Sequence, residues 1–98
     1  MLQWDPEKAK ANLRKHGVSF EEAASLFSDP RTLIRTDNIH SINEARWIAV
    51  GLSTNDRVLA VVFTIRSGDA EEITRIISAR TASQKERTAF AAATRQSD

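Results

Sequence analysis

Apolar positions in this chain recur first with the spacing of helices and later with the alternation of strands. Leu2–Trp4 reads as a short strand. Asp5-Pro6 then sets an N-cap ahead of a proline at the first helical position, and Gly17 supplies the left-handed residue that ends a helix. The pattern therefore predicts a helix to about His16. Ser19-Phe20-Glu21-Glu22 is a capping box for a second helix, with Phe20, Ala23, Ala24 and Phe27 as its apolar stripe and Asp29-Pro30 as its stop. Residues 31–36 predict a strand and residues 37–43 an irregular polar stretch. Three strand-like runs follow, Glu44–Ser53, Arg57–Arg66 and Glu72–Arg80. They are joined by a tight turn at Thr54-Asn55-Asp56 and a looser one at Ser67–Glu71. Ser83-Gln84-Lys85-Glu86 is another capping box and opens a last helix to about Arg95, with Ala89, Phe90 and Ala93 on its apolar side. The order β-α-α-β-β-β-β-α predicts one α+β domain over residues 1–98. Two N-terminal helices and a C-terminal helix pack on an antiparallel meander sheet.

Strand alternation assigns the faces. The bulkier sets are Leu59, Val61, Phe63 and Ile65 in one run and Ile48, Val50 and Leu52 in another; both are expected against the helices. In the last run Ile73 and Ile77 are the expected core contacts. The opposite face then collects Trp47, Thr64, Arg66, Thr74, Ser78 and Arg80, while Arg75 falls on the core side. A bulge after Arg75 would reverse that assignment. Guanidiniums beside small polar residues and an aromatic ring suit a ligand that carries phosphate and a stackable base. The alternative is structural: arginines near strand ends pair with acids or guard an edge.

Composition changes this picture little. The net charge is +1, and the 41% hydrophobic and 28% charged content is that of an ordinary globular domain. Distribution is more informative. Residues 75–95 hold Arg75, Arg80, Lys85, Arg87 and Arg95 against the single acid Glu86, and the chain uses ten Arg to four Lys. Arginine is the better bidentate partner for phosphate and carboxylate. The absence of cysteine excludes disulfides, thiol catalysis and cysteine metal sites. His16 and His40 are far apart and lack an acid-rich ligand pattern, so no metal site and no cofactor are expected. Nothing resembles a signal peptide or a membrane span, which implies a cytoplasmic protein with no membrane partner.

Among single residues, His16 lies at a helix C-terminus, where the dipole favours its protonated form and a structural role is expected. His40 sits in a polar stretch near Ser41 and Glu44 and is a candidate proton-transfer group. Lys8 and Lys15 share a helix face; they either extend a basic surface or are simply solvated. There is no phosphate-cradling glycine loop and no serine-elbow motif.

Several segments together resemble the BrnT family. They are Trp4-Asp5-Pro6-x-Lys8, Asn12-Leu13-x-Lys15-His16-Gly17-Val18-Ser19-Phe20-Glu21-Glu22-Ala23 and Phe27-x-Asp29-Pro30. Asp37-x-x-His40-Ser41-x-x-Glu44-x-Arg46, Ile48-x-Val50-Gly51 and Arg75-Ile76-Ile77-Ser78-Ala79-Arg80-x-Ala82 followed by Glu86-Arg87 continue the likeness. The resemblance implies a RelE-like ribonuclease toxin of a type II toxin–antitoxin system that arrests translation. It implies a BrnA-like antitoxin partner in a heterotetramer, with operator DNA contacted only through the antitoxin. Two positions depart from the family pattern. Phe90 stands where a hydroxyl-bearing aromatic is frequent, and Phe63 stands where histidine is common.

These expectations combine into metal-independent RNA cleavage by attack of the ribose 2′-OH on the adjacent phosphate. Arg66 and Arg80 are the expected charge-stabilising groups, with Arg75 as a further catalytic candidate. His40 or Glu44 is the candidate base. Lys15, Lys8, Arg46 and Trp47 are candidate RNA contacts. A non-catalytic RNA- or protein-binding module using the same arginines is the competing reading, and a small phosphorylated metabolite is a third kind of ligand.

Overall fold

The computed structural model describes residues 1–38 and 44–95. Its elements run β1 (Leu2–Gln3), α1 (Pro6–His16), α2 (Phe20–Ala24), a 3₁₀ turn (Ser25–Ser28), β2 (Leu33–Thr36), β3 (Trp47–Leu52), β4 (Val58–Ser67), β5 (Glu72–Thr81) and α3 (Gln84–Arg95). This is the predicted order. The predicted antiparallel meander needs one correction. The five strands lie in the order β1-β5-β4-β3-β2, and β1 pairs with β5 in parallel, which makes the sheet mixed. The meander holds only from β2 to β5.

The helix ends form where the capping residues stand. The Asp5 carboxylate accepts the Glu7 N–H (2.9 Å), and Gly17 closes α1 at φ 69°. The two capping boxes behave differently. The box at α3 closes in both directions, with the Ser83 N–H donating to Glu86 Oε1 (2.8 Å) and the Glu86 N–H to Ser83 Oγ (3.2 Å). At α2, Ser19 Oγ accepts the Glu22 N–H (3.0 Å), but the buried Glu22 carboxylate turns away to Arg57 and to the Ser53 hydroxyl (2.6 Å). The Arg57 guanidinium holds the Glu22 pKa below its usual value against the opposing effect of burial. This ties α2 to the β3–β4 hairpin, whose turn places Asp56 at φ 59°.

Both faces of the sheet are covered. Ala49, Leu59, Val61, Phe63, Ile76 and Ala79 pack against Val18, Phe20, Ala23 and Leu26 on the side of α1 and α2. Val50 and Ala60 pack with Ala82 and Phe90 on the side of α3. The bulky sets of β3 and β4 therefore do not share a face as expected. Val50 sits opposite Ala60 and Ala49 opposite Val61, so Ile48, Val50 and Leu52 lie on the α3 side.

A bulge corrects the last strand. Val62 pairs with Ser78 and Phe63 with Ile76, leaving Ile77 as an extra residue in β5. The core contacts of β5 are Ile76 and Ala79, not the expected Ile73 and Ile77. Beyond the two residues of β1, the border of β5 is closed by a side chain. Buried Asn12 accepts the Ala79 N–H on Oδ1 (3.0 Å) and donates from Nδ2 to the carbonyls of Ala79 (2.8 Å) and Val18 (2.9 Å). One carboxamide thus imitates a neighbouring strand.

Candidate RNA-binding groove

The bulge sets which arginines face together. Continuing outward from Ala60 on the α3 side, alternation brings Thr64 and Arg66 of β4 to that face. In β5, Arg80 is opposite Ala60, Ser78 is opposite Val62 and Arg75 is opposite Thr64. Arg75 therefore joins Arg66 and Arg80 on one face, contrary to the simple parity. Arg46 extends the same face from the start of β3. Trp47 and Thr74 leave it. Trp47 stacks on Phe63 (centroids 6.1 Å apart, planes 23° apart) on the side of α1 and α2, and Thr74 lies opposite Ile65.

Helix α3 packs over Val50 and Ala60 and leaves the neighbouring stretch of this face concave. A groove of about 480 Å³ lies there, floored by Ile48 and Val62 and walled by His16, Asp37, Arg46, Ser78, Ala79 and Arg80. The Asp37 N–H donates to the Arg46 carbonyl (2.8 Å), which pins the two walls where the chain enters β3. The groove is lined by an imidazole, two guanidiniums, a carboxylate and a hydroxyl over an apolar floor. It can take a phosphodiester against the guanidiniums and a sugar or base against the floor.

Each arginine has a different setting. Arg80 forms a two-pronged pair with Glu86, Nη1 to Oε1 at 2.7 Å and Nη2 to Oε2 at 3.0 Å. That pair, helped by the Ser83 N–H, holds the Glu86 carboxyl at about 2 despite its burial. The same hydrogen bonds raise the Arg80 pKa, so its charge is constant. Arg66 reaches Glu44 at 3.3 Å on the exposed end of the face. Arg75 is half-buried and has no ion-pair partner among the described residues.

The other expected residues fall as follows. Glu44 is held by Arg66 and does not line the groove. His40 lies outside the described residues. Lys8 and Lys15 are exposed on α1 and are not groove residues. Phe63 is buried between Phe27 and Trp47, and Phe90 is buried under α3; neither lines the groove. His16 and Asp37 belong to the groove and were not singled out from the sequence as site residues. One signal for His16 was present: it follows Asn12 by four residues and shares its helix face, and Asn12 is anchored on Ala79 beside Arg80. Among the described residues no group of three or more His, Asp or Glu side chains could hold a metal ion.

A family model described as "Ribonuclease toxin, BrnT, of type II toxin-antitoxin system" matches residues 4–86. The chain belongs to the BrnT family. The crystal structure of the Brucella abortus ribonuclease toxin BrnT, at 1.1 Å resolution, shares the fold with a TM-score of 0.62 and 27% sequence identity. The match covers 85% of this chain and 96% of that one. No curated protein matches the sequence. Membership of the BrnT family makes the chain a toxin of the ribonuclease type and implies an antitoxin partner. Among the described residues no helix is long and apolar enough to cross a membrane.

Proposed function

We propose that the groove beside Arg80 is an RNA-cleaving site that works without a metal ion. The observation that carries this reading is the convergence of Arg46, Arg66, Arg75 and Arg80 on one sheet face, two of them walling a groove that also presents His16. In the reaction the ribose 2′-oxygen bonds to the adjacent phosphorus and the bond to the 5′-oxygen breaks, leaving a 2′,3′-cyclic phosphate and a 5′-hydroxyl. Negative charge builds on the phosphoryl oxygens, and Arg80 and Arg46 stabilise it in place. His16, the imidazole that lines the groove beside Arg80, accepts the 2′-OH proton. The departing 5′-oxygen takes a proton from solvent in the open groove. Arg75 and Arg66 hold flanking phosphates further along the face.

In this reading the fold is RelE-like, the protein acts in the cytoplasm, and cleavage stops translation. A BrnA-like antitoxin neutralises the toxin in a heterotetramer and carries the operator contacts. The test is cleavage of a labelled single-stranded RNA in chelator, with and without ribosomes, by wild type and Arg80→Ala. Losing one charge-stabilising donor lowers the rate roughly 10²–10³-fold. Full activity in a folded Arg80→Ala protein refutes the assignment. Tight RNA binding with no turnover under either condition favours the binding-module reading.

A further inference from the structure

We infer that Glu86 is a positioning residue for Arg80: it clamps one edge of the guanidinium and leaves the other edge free for a phosphate. The inference rests on the reading of Arg80 as a phosphate-binding group. A guanidinium carries five N–H donors. Two of them, one on each terminal nitrogen, go to the two oxygens of Glu86 at 2.7 and 3.0 Å, and the second Nη1 proton approaches the Thr81 carbonyl at 3.4 Å. The Nε proton and the outer Nη2 proton remain. They lie on one edge and form a second fork that matches two oxygens of a phosphodiester. Among the described residues neither has an acceptor.

Glu86 is built to hold its place. Its side chain is 8% exposed, its Oε1 also accepts the Ser83 N–H at 2.8 Å, and its own N–H is tied to Ser83 Oγ at 3.2 Å. Arg35 approaches Oε2 from β2 at 3.4 Å. Donors from β2, from β5 and from the start of α3 thus converge on one carboxylate, which stays ionised. A carboxylate that blocked Arg80 would have to occupy the Nε–Nη2 fork; Glu86 takes the Nη1–Nη2 one. The guanidinium plane is therefore fixed before substrate arrives, and orientation of this kind carries a large share of phosphoryl-transfer catalysis.

The experiment is a double-mutant cycle of Arg80→Ala and Glu86→Gln, read by kcat and KM on a labelled single-stranded RNA, with ribosomes added if wild type requires them. Glutamine keeps an acceptor for the Ser83 N–H, so the helix cap survives. Glu86→Gln is expected to lower kcat roughly 10²-fold with KM little changed, as for loss of an interaction made in the transition state. In the Arg80→Ala background the same change adds no further loss, because Glu86 acts through Arg80. A purely structural role adds its loss in both backgrounds and overturns the inference. So does Glu86→Gln with full or increased activity, the latter meaning that Glu86 masks Arg80. Arg80→Ala as active as wild type removes the underlying reading instead, so the two failures are distinguishable. Glu86→Asp, which keeps the charge but shortens the reach, is the second variant should Glu86→Gln fold poorly, and it falls between wild type and Gln.

Discussion

Asn12 offers the sharpest test of how the groove is held. Its carboxamide makes three buried hydrogen bonds, two to Ala79 and one to the Val18 carbonyl, at 2.8 to 3.0 Å. Asn12→Ala removes all three and leaves one N–H and two carbonyls without a protein partner. At about 1 kcal/mol net per bond the loss is about 3 kcal/mol, and more if water cannot enter. A domain of 98 residues has roughly 5–15 kcal/mol of stability, so this is a large fraction. With an m-value of about 1.5 kcal/mol/M, the urea midpoint falls by about 2 M. Asn12→Asp adds a diagnostic that size alone cannot produce. A carboxylate there faces two carbonyl oxygens in a buried setting, so its folded-state pKa rises above the unfolded value near ~3.9. The folded state then binds the proton more tightly, and the destabilisation relative to wild type grows as pH rises from about 4 to about 7. Urea titrations at both pH values check this. An Asn12→Ala midpoint within about 0.3 M of wild type, or an Asn12→Asp defect that ignores pH, refutes the strand-imitation argument.

Three further outcomes follow from the same geometry. Arg80→Ala keeps the circular dichroism of the wild type while cleaving RNA roughly 10²–10³-fold more slowly. Gly51→Ala places a Cβ 2.6 Å from Thr32 Oγ1 and 3.2 Å from Leu26 Cγ, so calorimetry should show a lower Tm from about 1–3 kcal/mol of overpacking; an unchanged Tm contradicts that contact. Glu86, at about 2 against an ordinary 4.5, stabilises the fold fully above the ordinary value and loses that contribution as pH falls through its own. Urea midpoints should accordingly decline as pH drops below about 4.5, less steeply for Glu86→Gln than for wild type; parallel declines contradict the pairing.

The local chemistry of the chain was readable from its sequence. Asp5-Pro6, Gly17 and Ser83-x-x-Glu86 mark helix ends through bonds made within a few residues, and each forms as expected. The faces were not readable, because strand alternation reports burial only when one side of a sheet is wet. Here α1 and α2 cover one side and α3 the other, so Val50 and Val61 are equally apolar while pointing in opposite directions. The parallel pairing of β1 was hidden for a different reason. It joins Leu2 to Thr74 across most of the chain, and no local pattern encodes it. The arginines of the site were visible as residues, and Arg66 and Arg80 were correctly set on one face. Membership of Arg75, and the exclusion of Trp47, depended on register.

That register has a consequence for how such a chain can vary. The facing of Arg80 is set by counting along β5, with Ile77 as the added step, and not by any property of the arginine itself. Keeping all the residues but pairing them without the bulge would put Arg75 and Arg80 on opposite faces, whereas deleting Ile77 would close the bulge and leave both where they are. Substitutions at position 77 leave the count unchanged. The site should therefore accept many side chains at the bulge, and even the loss of that one residue, but no insertion that shifts the count, a tolerance defined by phase and not by chemistry.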